Sequence, residues 1–286
     1  IAKTLEVAGR MVPALAAVNL PDLGPYDVAA TVGGSGAKPS LSNIKASLGR
    51  PGETSLTAAG SVADAIKATG INVQVSATVK EPAALARGFG AEVPDLPGVL
   101  ASARIKDQDG GYQLSEMNVK IGASDLRGTM GVRLGGARPK VSGDLQSALL
   151  DLDELLPKTS DAKDTKPAAD GRLFSNDPLP LEGLKAADAD IKLAVATLRV
   201  NKMDVTAVRV AAVLQAGRLI VKPLQATVAD GTLSGEISLG AEQSVPPLAV
   251  NLNVAKLDYG KLVAMTGEKP VAEGTADVTV KGNGAG

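Results

Sequence analysis

Three segments of this chain repeat one alternation of apolar residues at matching spacings, and a chain built this way stacks copies of one β unit. Leu56, Leu126 and Leu233 each open a stretch with an apolar residue at every second position, and 19 residues later stand Val75, Leu145 and Leu252. Upstream, Leu41, Ile44, Ala46 and Leu48 match Leu114, Met117, Val119 and Ile121, and these match Val221, Leu224, Ala226 and Val228, at offsets of 0, 3, 5 and 7. Leu114 to Leu126 and Val221 to Leu233 are both 12 residues; the first copy carries three more, read as a wider hairpin around Arg50-Pro51-Gly52. Downstream, Leu145 to Asp151 with Leu155 overlies Leu252 to Asp258 with Leu262. Leu20-Pro21-Asp22-Leu23-Gly24-Pro25 is echoed by Val93-Pro94-Asp95-Leu96-Pro97-Gly98 after 73 residues, the distance from Leu41 to Leu114.

The period-2 pattern predicts strands with one apolar and one polar face. Tyr26-Val28-Ala30-Val32 and Val99-Ala101-Ala103-Ile105 begin the first two copies, and Gly33 to Gly36 and Asp107 to Gly111 supply hairpin turns. Each unit is expected to end in a short helix, over Pro82 to Arg87, Asp151 to Leu156 and Tyr259 to Met265, with Asp151 and Asp258 as caps. The expected fold is all-β: an elongated, curved antiparallel repeat sheet, open like a taco, with short helices between repeats. The divisions are the end of a preceding repeat over 1–19, repeats over 20–92 and 93–156, a flexible linker over 157–173, a third repeat over 174–267 and the start of a truncated fourth over 268–286. Pro157 to Gly171, charged and almost free of large apolar residues, reads as a mobile surface loop.

Composition narrows the chemistry. The chain has no Cys, His or Trp, and its 30 basic and 31 acidic residues are mixed throughout. No disulfide or thiolate metal site can form, and there is no electrostatic footprint for nucleic acid. No apolar run is long enough to cross a membrane as a helix. The chain begins without Met and reads as an internal piece, so an anchor or export signal is expected outside it.

Without His or Cys the common nucleophile–base pairs are unavailable, and we expect neither an enzyme nor a cofactor. Asp151, Asp153 and Glu154 are the densest acidic group; a metal site and a solvated helix N-terminus are the two readings. Asp107-x-Asp109-Gly110 has the start of a calcium loop but lacks its closing Glu, position 118 being Asn, so a hairpin turn is preferred. Arg133, Arg138 and Lys140 suit either lipid headgroups or ordinary solvated strand positions.

An apolar sheet face must be covered by another sheet, by helices or by a ligand. Helices of about six residues are too short to roof strands about 30 Å long. Either the sheet curls and fills its own interior, or the face is a trough. A trough would shelter lipid tails, whose exposure costs about 0.8 kcal/mol per CH₂, or roughly 13 kcal/mol for a chain of about 16 carbons.

The Leu20 to Pro25 segment, the Leu41-Ser42-Asn43-Ile44 strand running to Leu48-Gly49, and Leu145 to Leu155 resemble the repeat of the AsmA family of bacterial envelope proteins. Phe174-Ser175-Asn176-Asp177-Pro178-Leu179-Pro180, Ala187-Asp188-Ala189-Asp190 and Gly231-Thr232-Leu233-Ser234-Gly235 are similar to that family's C-terminal stretch. The first copy departs, with Ala58 where the others have Gly128 and Gly235. The resemblance implies a periplasmic segment, anchored to the inner membrane of a Gram-negative bacterium by a part outside this chain, that serves outer-membrane biogenesis and phospholipid transport between the two membranes. Its partners would be phospholipid acyl chains, the inner membrane and possible envelope proteins, with no nucleic acid. The groove wall would then comprise Val99, Ala101, Ile105, Met117, Val119, Ile121, Leu126, Met130, Val132, Leu134, Leu224, Val228, Leu233, Ile237, Leu239, Leu248, Val250 and Leu252. The other reading is a scaffold that binds envelope proteins through its sheet edges.

Overall fold

Alternating Val, Leu, Ile and Ala with Ser, Thr, Asn and Lys favours strands with one apolar and one polar face, and 70% of the described chain is strand. The structure, a computed structural model, describes residues 24–88, 95–156, 182–241 and 246–285. Fourteen strands lie in one open sheet in strict sequence order. They are β1 (Tyr26–Ser35), β2 (Lys38–Gly49), β3 (Ser55–Asp64), β4 (Thr69–Val79), β5 (Val99–Gln108), β6 (Gly111–Ile121) and β7 (Ser124–Arg133), followed by β8 (Lys140–Asp151), β9 (Asp188–Val200), β10 (Met203–Gln215), β11 (Arg218–Val228), β12 (Gly231–Gly240), β13 (Pro247–Asp258) and β14 (Thr275–Ala285). The helices are α1 (Pro82–Gly88), α2 (Leu152–Leu155), α3 (Glu182–Ala186) and α4 (Tyr259–Met265). The expected all-β repeat sheet with short helices is the observed one, and α3 adds a helix that the alternation did not signal. The segment 1–19, the proposed linker and the Phe174 to Pro180 stretch lie outside the described residues.

The sheet departs from the antiparallel expectation at one joint. β8 and β9 pair in parallel, Lys140 beside Asp188 through to Asp151 beside Arg199. A parallel neighbour requires the chain to return to the rim it started from, so Leu156 and Glu182 stand at opposite ends of the strands. One rim carries α1, α2, α4 and the β6–β7, β9–β10 and β11–β12 turns; the far rim carries the β3–β4, β5–β6, β7–β8 and β10–β11 turns.

The step of three in the offsets 0, 3, 5, 7 is a β-bulge. Pairing slips between Leu41 and Ile44, between Leu114 and Met117, and between Val221 and Leu224. In the first two copies the extra residue, Asn43 or Glu116, takes a positive φ of 50° or 52°. The bulged residue restores the inward parity, so apolar side chains continue on one face beyond it.

Register also revises the first copy. Ile44, Met117 and Leu224 stand opposite Gly60, Gly128 and Gly235, so the glycine is present in all three copies and Ala58 corresponds to Leu126 and Leu233. Gly60 pairs with Val73, whereas Gly128 pairs with Leu145 and Gly235 with Leu252. The spacing of 19 from Leu56 to Val75 is therefore a coincidence: a longer β2–β3 turn and a shorter β3–β4 turn shift the equivalent pair by two residues. A glycine is required there because at Gly128 (φ 144°) an added Cβ would lie 2.0 Å from the Asp144 carbonyl oxygen.

Candidate functional site

Directly paired residues in neighbouring strands project from the same face of a sheet. One such row runs Ile44, Gly60, Val73, Ile105, Leu114, Met130, Gly143, Ile191, Ala212, Val221, Ile237, Val250 and Gly282, from β2 to β14. No member is polar. On the other face the row Ser61, Asn72, Lys106, Gln113, Gly131, Ser142, Asp190 crosses seven strands with a polar side chain on six and a glycine on β7. It then meets Val213 and Ile220, two exposed apolar neighbours on β10 and β11.

The pairings put Val99, Ala101 and Ile105 of β5, Met117, Val119 and Ile121 of β6, and Leu126, Met130 and Val132 of β7 on the apolar face. Leu224 and Val228 of β11, Leu233, Ile237 and Leu239 of β12, and Leu248, Val250 and Leu252 of β13 join them. Leu134 lies one residue past the end of β7, its N–H bonded to the Gly110 carbonyl at 2.6 Å and its side chain 55% exposed at the rim. The face is also wider than expected. Val73 and Val75 of β4, Ile191 and Leu193 of β9, Val210 of β10 and Val280 of β14 share it, and the same parity rule carried across the bulges finds them.

All described strands belong to this one sheet, so no second sheet covers the face among the described residues. No large side chain among them is fully buried. The tightest packing is where the parallel joint meets the third repeat: Val195, Val208 and Ala226 are buried against Leu150, Leu193, Leu198, Val205, Val210 and Leu233. At the outer strands Val28, Val32, Val278 and Val280 are exposed. Polar groups also intrude: Asp107, paired through Tyr112 with Val132, projects from this face near its rim, and Ser147, buried opposite Val195, has an Oγ without a hydrogen-bond partner.

The acidic residues are joinery. Asp151 caps α2, accepting from the N–H groups of Asp153 and Glu154. Asp153 in turn accepts from Asn201 and Lys202 N–H at 2.6 and 2.7 Å, holding the β9–β10 turn, while Glu154 accepts from Ala123 N–H in the β6–β7 turn. Asp258 caps α4 through Lys261 N–H. Asp107 accepts from Gly70 and Ile71 N–H at 2.9 and 2.6 Å, across from its own hairpin. These bonds, Gly70's first, outweigh desolvation and hold the Asp107 carboxyl below its ordinary value. A carboxylate committed to backbone donors this way has fewer lone pairs for a cation, and among the described residues no three acidic groups converge as metal ligands would.

The family model of the AsmA family matches residues 53–286. The chain belongs to the AsmA family. It is 22% identical over 260 residues to the AsmA family protein YhjG of Escherichia coli (strain K12), across 82% of this chain and 38% of that protein. The chain therefore spans well under half the length of this relative. No solved structure matches it. AsmA proteins are envelope proteins, and membership supports a role in envelope biogenesis. Among the described residues no helix is long and apolar enough to cross a membrane.

Proposed function

We propose that this AsmA segment is a non-enzymatic stretch of a periplasmic conduit, whose apolar sheet face carries phospholipid acyl chains between the inner and outer membranes. The observation that supports it is the row from Ile44 to Gly282: one line of paired positions that crosses thirteen strands without a polar member, with no second sheet over it among the described residues. A soluble protein seldom leaves an apolar patch of this extent without an occupant. Tails lying along such a face would trade water for Val, Leu and Ile contacts at each step, so movement along it would meet no repeated desolvation cost. The protein would be tethered to the inner membrane by a segment outside this chain. The outer edges of β1 and β14, unpaired among the described residues, favour a second reading, a scaffold that pairs with envelope proteins through strand addition.

The test is native mass spectrometry of the chain purified from bacterial cells. Co-purifying phospholipid that is lost in Val132→Asp and Ile237→Asp, with the β circular-dichroism signal intact, is the expected result. A lipid-free protein that also takes up no fluorescent phospholipid would exclude the conduit and turn attention to the edges.

A further inference from the structure

The far rim carries cations that form no ion pair among the described residues. Arg133 of β7 stands directly opposite Lys140 of β8, a like-charge pair that destabilises a hairpin. Arg138 lies in the turn between them, with its Nη1 buried and lacking any hydrogen-bond partner. Further along the rim Arg218 begins β11, beside Gln215. The strand spacing sets Arg133 and Arg218 about 19 Å apart. Among the described residues none of these four makes an ion pair, although seven such pairs form elsewhere. Among the described residues the rim's acids are Asp188, which accepts from Ala216 N–H, Asp64, which accepts from Ile66 and Lys67 N–H, Asp107, which accepts from Gly70 and Ile71 N–H, and Asp109 on the neighbouring turn, with Asp190 two residues further in from Asp188.

The same rim presents apolar tips. Leu134 is 55% exposed between Arg133 and Arg138, and Ile66, beside Lys67 in the β3–β4 turn, is 61% exposed. An exposed Leu or Ile flanked by Arg and Lys is the chemistry of a surface that dips its apolar tips beneath anionic headgroups while its cations meet the phosphates. An acidic protein surface would use the cations but leave Leu134 and Ile66 in water.

We propose that the far rim, centred on the β7–β8 turn, docks on an anionic phospholipid bilayer surface. This does not require the conduit reading, and its test involves no lipid uptake. The experiment is flotation of the 286-residue chain with vesicles of pure phosphatidylcholine and of phosphatidylcholine and phosphatidylglycerol mixed two to one. Binding is expected only to the mixed vesicles. The triple variant Arg133→Ser, Arg138→Ser, Lys140→Ser should lose about a hundredfold in affinity, at roughly fivefold per cation. Lys80→Ser, Lys202→Ser, Lys269→Ser on the helix-bearing rim removes the same charge and should change binding less than twofold. Leu134→Ser, which leaves every charge in place, should weaken binding severalfold and serves alone if the triple variant misfolds. Equal binding to both vesicles, equal loss in the two triple variants, an unaffected Leu134→Ser, or displacement by inorganic phosphate in place of membrane docking overturns the proposal.

Discussion

Met117 of β6 faces Gly128 of β7 directly across a bulge, and the pair is repeated as Ile44 with Gly60 and Leu224 with Gly235. The large residue and the bare backbone position belong together: the bulge sharpens local twist, and the glycine lets the next strand approach closely. Gly128→Ala should destabilise the sheet by about 2 kcal/mol or more, since its Cβ would meet a backbone oxygen that cannot move aside. Gly52→Ala, at a turn where nothing lies within 4 Å, should cost only the strain of its positive φ, about 1 kcal/mol. Urea denaturation of the two variants checks the order; equal losses would remove the role assigned to the bulge.

How far this architecture was legible depends on what each signal measures. Alternation reports only local pairing, so strands, hairpin turns, the Asp151 and Asp258 caps and the extent of α4 could be read directly. The offset of three at Ile44, Met117 and Leu224 carried the bulge in plain view. What alternation cannot carry is length between strands. Two compensating loop changes hid Gly60 behind a false match at Ala58, and the parallel joint of β8 and β9 depends on a connection whose direction no pattern in Leu145 to Leu155 encodes. The apolar face was underestimated for the same reason, because β4, β9 and β14 join it only once the register is known. Asp153 and Glu154 read as a loose acidic cluster because their partners, Asn201, Lys202 and Ala123, are distant in sequence.

Asp153 reaches from α2 across to the β9–β10 turn and, beside the Arg199–Asp151 ion pair, clasps the parallel joint at its helix-bearing end. Asp153→Ala should cost about 1 kcal/mol. Amide hydrogen exchange should accelerate at Asn201 and Lys202 while β12 and β13 keep their protection. Uniform acceleration through the sheet would mean the contact is part of the global fold and not a local clasp.

Val195 and Ile237 share the apolar face but not its environment. Val195 is 2% exposed within the cluster with Val208 and Ala226, whereas Ile237 is only half-buried. An uncompensated carboxylate at Val195 should abolish cooperative folding, because desolvating it costs several kcal/mol. At Ile237 the carboxylate can reach water, and Ile237→Asp should retain its β circular-dichroism signal with a lowered melting temperature. Unfolding of both would show the face to be sealed throughout.

The carboxyls of Asp107, Glu116 and Asp204 are held below their ordinary values, the first chiefly by Gly70 N–H, the others chiefly by hydrogen bonds from Arg104 and Arg199. A depressed folded-state value means that the unfolded chain binds protons more readily, so the stabilisation is present above the unfolded value and is lost as pH falls through the folded one. The sequence has no histidine, the residue whose ordinary titration falls between about pH 5 and 8. Melting temperature should therefore vary little from neutral pH down to about pH 5 and decline below about pH 4. Asp107→Asn keeps the shape but gives up the charge-assisted bonds to Gly70 and Ile71, and its melting temperature at neutral pH should be lower and its acid decline shallower than those of the parent chain. A variant whose acid decline matches the parent's would show that Asp107 does not carry the acid sensitivity of this hairpin.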